Sequence, residues 1–160
     1  RNQSMILHLE TSTKICSVAL SKNGELFDFI ETSSDQFIHG EQLTVMIDQL
    51  LKRNSTDIKS LLAISFSLGP GSYTGLRIGL ATAKGLSFGL GIPFIGVSSL
   101  ESLVSLARAK HPDATIAAAF DARRDEVFLR IQQQDKVLLT DQPVIITEDF
   151  VSPADLRTLT

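Results

Sequence analysis

Eight of the ten glycines in this 160-residue chain fall between Gly69 and Gly96, and three stand in the heptapeptide Gly69-Pro70-Gly71-Ser72-Tyr73-Thr74-Gly75. No regular element tolerates glycine and proline at that density. Immediately before it, residues 61–68 read as an apolar strand, and immediately after it, residues 76–90 have helical character. A strand, a glycine-rich turn and a helix in direct succession restrict the chain to the α/β class. Such a turn can point backbone N–H groups at an anion on the helix N-terminus. The phosphate-binding pattern ends in Gly-Lys-Ser/Thr, however, and Gly75-Leu76-Arg77 is not that. Pattern alone favours a tight turn that needs positive φ.

The remaining elements follow from periodicity. Residues 5–9 and 16–20 read as strands around the turn Glu10-Thr11-Ser12-Thr13-Lys14, and Asn23-Gly24 leads into a third strand at 26–30, where Phe27 and Phe29 alternate with Asp28. In 41–53, Leu43, Met46, Ile47, Leu50 and Leu51 share one helical side, with Glu41, Asp48, Gln49 and Lys52 on the other. A short strand at 93–97 precedes a helix capped by Ser98 or Ser99 and running to about Lys110, and 115–120 is strand-like again. Segments 126–132, 136–139 and 144–147 read as a further meander. A boundary near His111-Pro112 divides a first lobe, 5–111, from a partial second one, 112–160, and residues 1–4 read as an expression remnant ahead of a natural start at Met5.

Charge and cysteine usage exclude several function classes. Fifteen basic against eighteen acidic residues give a net charge of -3, so no global positive field draws the chain onto nucleic acid by itself. The single cysteine, Cys16, forms no internal bridge, which suits a reducing cytoplasm. The charge-free stretch 85–100 is interrupted by Pro93 and four glycines and is too short to span a bilayer. The apolar opening, ended by Glu10, is strand-sized and no signal peptide.

Catalytic constellations are missing from the pattern. His8, His39 and His111 are too far apart for a helical metal pair, Cys16 has no adjacent histidine, and no Gly-x-Ser-x-Gly occurs. His8 reads as a satisfied interior or edge residue, and His39 and His111 as loop or capping residues. No catalytic residue and no metal site is assigned. The run Asp121-Ala122-Arg123-Arg124-Asp125-Glu126 reads either as a solvated turn or as a charged contact for a protein or tRNA. At 100° per residue, Gly75, Gly79, Thr82 and Leu86 share a side of their helix suited to close approach to a sheet, while Arg77 and Lys84 lie nearly opposite, flanked by Leu80, Ala81 and Phe88. Apolar residues on the outward side mark an interaction surface, to which Glu41 and Val45 of the neighbouring helix can add.

Four stretches together resemble the TsaB (YeaZ) family: Met-Ile-Leu-His-Leu-Glu-Thr-Ser-Thr from Met5 with Cys-Ser-Val-Ala-Leu from Cys16, Leu-Gly-Pro-Gly-Ser-Tyr-Thr-Gly-Leu-Arg from Leu68, 92–100 and 121–128. The resemblance implies an actin-like ATPase, ribonuclease-H-like fold: a mixed five-stranded sheet with helices plus a partial second lobe of similar type. Glu10, Thr11, Ser12 and Thr13 would be a vestigial phosphate loop, with Glu10 where many members carry aspartate, and Gly69 to Gly75 the signature loop. The chain ends at Thr160, earlier than family members usually do, so part of the second lobe would be missing. The implied role is a scaffold without catalysis in N6-threonylcarbamoyladenosine modification of tRNA, which binds and activates a TsaD-like paralogue. A TsaE-like ATPase and tRNA would be reached through the complex, and the chain alone would form a homodimer. No cofactor would be required by this chain, and any ATP or ADP would belong to the assembled complex. The alternatives are a nucleotide-binding module without turnover and an enzyme, either an actin-superfamily kinase or a glycoprotease-like protein.

Overall fold

The computed structural model describes residues 5–33 and 40–147. Residues 1–4, His39 and the side chain of Glu41 lie outside the described residues. Contacts divide the chain into two units, Arg1–Val97 and Ser98–Thr160.

In the first unit, β1 (Met5–Glu10), β2 (Ile15–Lys22) and β3 (Glu25–Ser33) form an antiparallel meander, followed by α1 (Gly40–Arg53), β4 (Leu61–Ser67), α2 (Tyr73–Leu90) and β5 (Phe94–Val97). The sheet order is β3-β2-β1-β4-β5, with β4 parallel to β1 and β5 parallel to β4. This mixed order is the ribonuclease-H-like arrangement of actin-like proteins, as the sequence led us to expect. Leu7, Leu9, Val18, Leu20, Ile64 and Phe66 from the strands pack with Leu43, Leu50 and Ala83 from the helices in one core cluster. Each fully buried leucine contributes about 1.5–3 kcal/mol, several times any per-residue helix propensity, so packing holds α1 in place.

The outer strand β3 turns its polar residue, rather than its aromatics, to α1. Arg53, in the last turn of α1, donates from Nε and Nη2 to the two carboxylate oxygens of Asp28 at 2.8 and 2.7 Å. The same Nη2 donates to the Phe29 carbonyl at 2.8 Å, the Phe29 N–H donates to Asp28 Oδ1 at 2.9 Å, and Asn54 Nδ2 donates to Asp28 Oδ2 at 2.6 Å. Phe27 and Phe29 are left exposed.

Helix α2 begins at Tyr73, three residues before the expected start, because Ser72 caps it: the Ser72 hydroxyl accepts the Gly75 N–H at 3.2 Å. It ends at Gly91, whose φ of 65° is the left-handed closure that glycine adopts cheaply.

The second unit holds α3 (Ser99–Lys110) and the antiparallel sheet of β6 (Thr115–Arg123), β7 (Glu126–Gln133) and β8 (Lys136–Ile145). Its first residue is Ser98, not Pro112, because Leu100 and Val104 of α3 are buried against Ile116 and Ala118 of β6. The expected strands at 136–139 and 144–147 are one strand, β8: it lies at the sheet edge, where Pro143 removes no needed donor, and a register irregularity absorbs the polar interruption. Among the described residues no helix is long and apolar enough to cross a membrane.

Candidate functional site

Two loops of the first unit meet at the carboxyl ends of β1 and β4. The Ser12 N–H donates to Glu10 Oε1 at 2.6 Å, and the Ser67 hydroxyl donates to Glu10 Oε2. Thr11 and Ser12 are buried, and the Thr11 hydroxyl donates to the Gly75 carbonyl at 2.8 Å. The Ser72 N–H donates to the Ser12 carbonyl at 2.7 Å. Thr13 is exposed and accepts the Ile15 N–H at 3.1 Å.

The signature loop is therefore a fastener. Gly69 adopts φ 102°, where other residues are strained. A Cβ on Gly71 would fall on Ser12, one on Gly75 on the Thr11 carbonyl, and one on Gly79 on the Thr11 hydroxyl and the Phe66 ring. Pro70 and Ser72 are half-buried within the loop, while Tyr73 and Thr74 face solvent. Phosphate binding needs free N–H groups and hydroxyls at the loop tips. Here the Ser12 and Ser72 N–H groups, the Gly75 N–H and the Thr11 and Ser67 hydroxyls already have protein partners. In this arrangement those donors are taken up by the protein itself.

Cys16 and His8 of the same unit sit in structural surroundings. Burial, reinforced by the Glu10 charge, pushes the Cys16 thiol up to about 11, the opposite of an activated nucleophile. His8 is half-buried beside the Ser21 hydroxyl, 2.8 Å from its Nε2, and burial lowers its pKa. His111 closes α3, its N–H donating to the Ala107 and Arg108 carbonyls. Among the described residues no three His, Cys, Asp or Glu gather into a group able to hold a metal ion.

The outward side of α2 has the opposite character. Arg77, Ala81 and Lys84 are exposed, Phe88 is 91% exposed, and on α1 Val45 is 52% exposed. Leu80 departs from the expected set: it is half-buried and packs against the core, because it follows Leu76 by one turn and precedes Ala83 by three residues, on their row. Tyr73 joins the outward row instead. It is 74% exposed, with the Arg77 guanidinium carbon 5.3 Å from its ring centre. Gly85 and Gly89 are exposed beside Phe88. The signal for all three was the same 100° spacing, hidden for Tyr73 by the late helix start assigned to the loop.

Comparison with known proteins places this geometry. The TsaD family profile, described as tRNA N6-adenosine threonylcarbamoyltransferase, matches residues 35–160. The tRNA threonylcarbamoyladenosine biosynthesis protein TsaB of Haemophilus influenzae is 37% identical over 132 residues, covering 82% of this chain and 55% of that protein. TsaB of Escherichia coli is 35% identical over 131 residues, covering 82% and 56%. The chain thus spans little more than half the length of these curated relatives. Among solved structures, YeaZ from Pseudomonas aeruginosa superposes with a TM-score of 0.82 at 32% identity, covering 96% of this chain and 72% of that one.

Proposed function

Because this chain belongs to the TsaB (YeaZ) family, we propose that it serves tRNA threonylcarbamoyladenosine biosynthesis as a non-catalytic subunit, docking on a TsaD-like catalytic paralogue through the outward side of α2. The observation that carries this reading is Phe88, 91% exposed on a helix whose only charges are Arg77 and Lys84. Burying such a side chain contributes about 1.5–3 kcal/mol, which solvent exposure forfeits. Tyr73, Ala81, Gly85 and Gly89 extend the surface along the helix, whereas Val45 lies on the other side of α1, in a groove with Ile30 and Thr32 of β3. Small residues between two aromatics leave room for a partner helix to approach.

The loops support the non-catalytic part. With Thr11, Ser12 and Ser72 bonded to one another's elements, the chain needs no cofactor, and ATP or ADP belongs to the assembled complex. A TsaE-like ATPase and tRNA are reached through that complex, in the cytoplasm, and the isolated chain pairs with itself over the same surface.

The test is Ala81→Glu, which places a carboxylate on an exposed position. Its circular dichroism spectrum and Tm should match those of the unaltered chain. Co-purification with the paralogue should fall by about tenfold or more, since the larger side chain overpacks a close contact by about 1–3 kcal/mol and each 1.4 kcal/mol is tenfold. Reconstituted tRNA modification should fall with it. Retained binding would overturn the surface, and ATP turnover by the isolated chain that vanished in Glu10→Ala would overturn the non-catalytic role.

A further inference from the structure

The hairpin between β6 and β7 is built from the wrong residues for its shape. Arg123 pairs with Glu126, leaving the two-residue turn Arg124-Asp125. Both turn residues have positive φ, 56° and 62°, and Arg123 before them has φ 72° beside a register irregularity. A two-residue turn with two positive φ values favours Asn-Gly or Asp-Gly, because a β-carbon is strained there. The same chain supplies the control. Between β2 and β3, Lys22 pairs with Glu25 around Asn23-Gly24, whose φ values are 54° and 87°. One hairpin uses the relaxed pair, and the other holds arginine in the same conformation.

Strain of this kind persists where the side chain is used for something else. The backbone is held in place: the Arg123 N–H donates to Asp121 Oδ1 at 2.7 Å, and the Ile146 N–H donates to the Asp125 carbonyl at 2.7 Å. Both guanidinium groups are exposed, and neither has a partner among the described residues. Ile145 and Ile146 are exposed alongside. Resting on the docking role above, we propose that this tip is a second contact with the catalytic paralogue, in which Arg123 and Arg124 take acidic side chains of that protein.

Charge and surroundings choose protein over RNA. Asp121, Asp125 and Glu126 stand within the same six positions and repel a phosphate backbone, whereas a protein surface can match alternating signs. Arginine beside exposed aliphatic side chains is the composition of a protein interface. The backbone that carries the two side chains is held before binding, so less freedom is lost on contact.

Two double variants test the proposal against the purified paralogue, with binding measured by surface plasmon resonance. Arg124→Asn with Asp125→Gly copies the relaxed turn: Tm should rise by a few degrees while affinity falls about tenfold. Arg123→Gln with Arg124→Gln keeps chain length and removes only charge: affinity should fall at least as far, and its salt dependence should flatten. Undiminished affinity of the glutamine pair, with normal binding by the unaltered chain, overturns this proposal alone. Failure of the unaltered chain to bind brings down the α2 docking reading with it. An Asn-Gly variant no more stable than the original removes the strain premise. Unchanged paralogue affinity with weakened binding of tRNA by the assembled pair reassigns the arginines to phosphate and overturns the protein contact.

Discussion

Replacing Gly79 by alanine should destabilise the protein, although the same replacement six residues later should stabilise it. Both positions are interior to α2, so each alanine gains the helix-propensity difference of about 0.8–1 kcal/mol. At Gly85 nothing lies within 4 Å of the added carbon, and that gain stands alone. At Gly79 the added carbon meets the Thr11 hydroxyl and the Phe66 ring, with the ring's Cζ 3.0 Å away and Cε2 closer still. Phe66 is fully buried and Thr11 is bonded to Gly75, so neither gives way freely. Overpacking of this kind costs about 1–3 kcal/mol. The two variants should therefore differ by about 1–3 kcal/mol, or roughly 2–12 °C in Tm for a chain of this size. Thermal melts and urea titrations of Gly79→Ala, Gly85→Ala and the bulkier Gly79→Leu would read it directly. Equal stabilisation by the two alanines would refute the close approach of α2 to β4 and to the turn after β1, and with it the account of why the signature loop and its helix are so rich in glycine.

Burial lowers the His8 pKa, so the unfolded chain binds the proton more readily than the folded one: its contribution is complete above about pH 6.5 and is lost as pH falls from there through the lowered folded value. His8→Gln should shrink the difference between Tm at pH 7.5 and at pH 5, and an unchanged difference would assign the acid sensitivity elsewhere. The Asp28 carboxyl is held below its ordinary value, first by the Asn54 hydrogen bond and then by Arg53, so its contribution is present above about pH 3.8 and disappears as pH drops through the lowered value. Asn54→Ala should move the acid-unfolding midpoint upward, and no movement would count against that pairing. Cys16, with its thiol pushed up to about 11, should be only about one part in a thousand thiolate at pH 8 and should react with a disulfide reagent on unfolding. Rapid modification of the native protein would contradict its burial.

The long periodic elements were legible because each is decided by one strong pattern. Leu43, Met46, Ile47, Leu50 and Leu51 fall on the buried side of α1 as spacing requires, and Gly75 and Gly79 on the approaching side of α2. What escaped was decided by single long-range bonds. The start of α2 depends on the Ser72 cap, and the division at Ser98 depends on Leu100 and Val104 choosing β6 as their neighbour. The fate of the Glu10 turn lies in its bonds to Ser67, Ser72 and Gly75, residues nearly sixty positions or more away, which no local pattern announces. Leu80 and Tyr73 exchanged sides of the expected surface for the same reason: moving a helix start by one turn adds residues to the outward row, and a core contact claims others.

The clamp on β3 decides how another chain can meet this edge of the sheet. An outer strand nine residues long with Leu26, Phe27 and Phe29 exposed is, by composition, an invitation for another chain to add itself to the sheet. At its middle that invitation is withdrawn, since the Phe29 N–H and carbonyl are already engaged by Asp28 and Arg53. A visiting strand could form no continuous ladder there without first breaking a two-pronged ion pair anchored in α1. Growth by sheet extension is thereby blocked at this edge, where contact falls to side chains, which discriminate between partners as a row of backbone hydrogen bonds cannot.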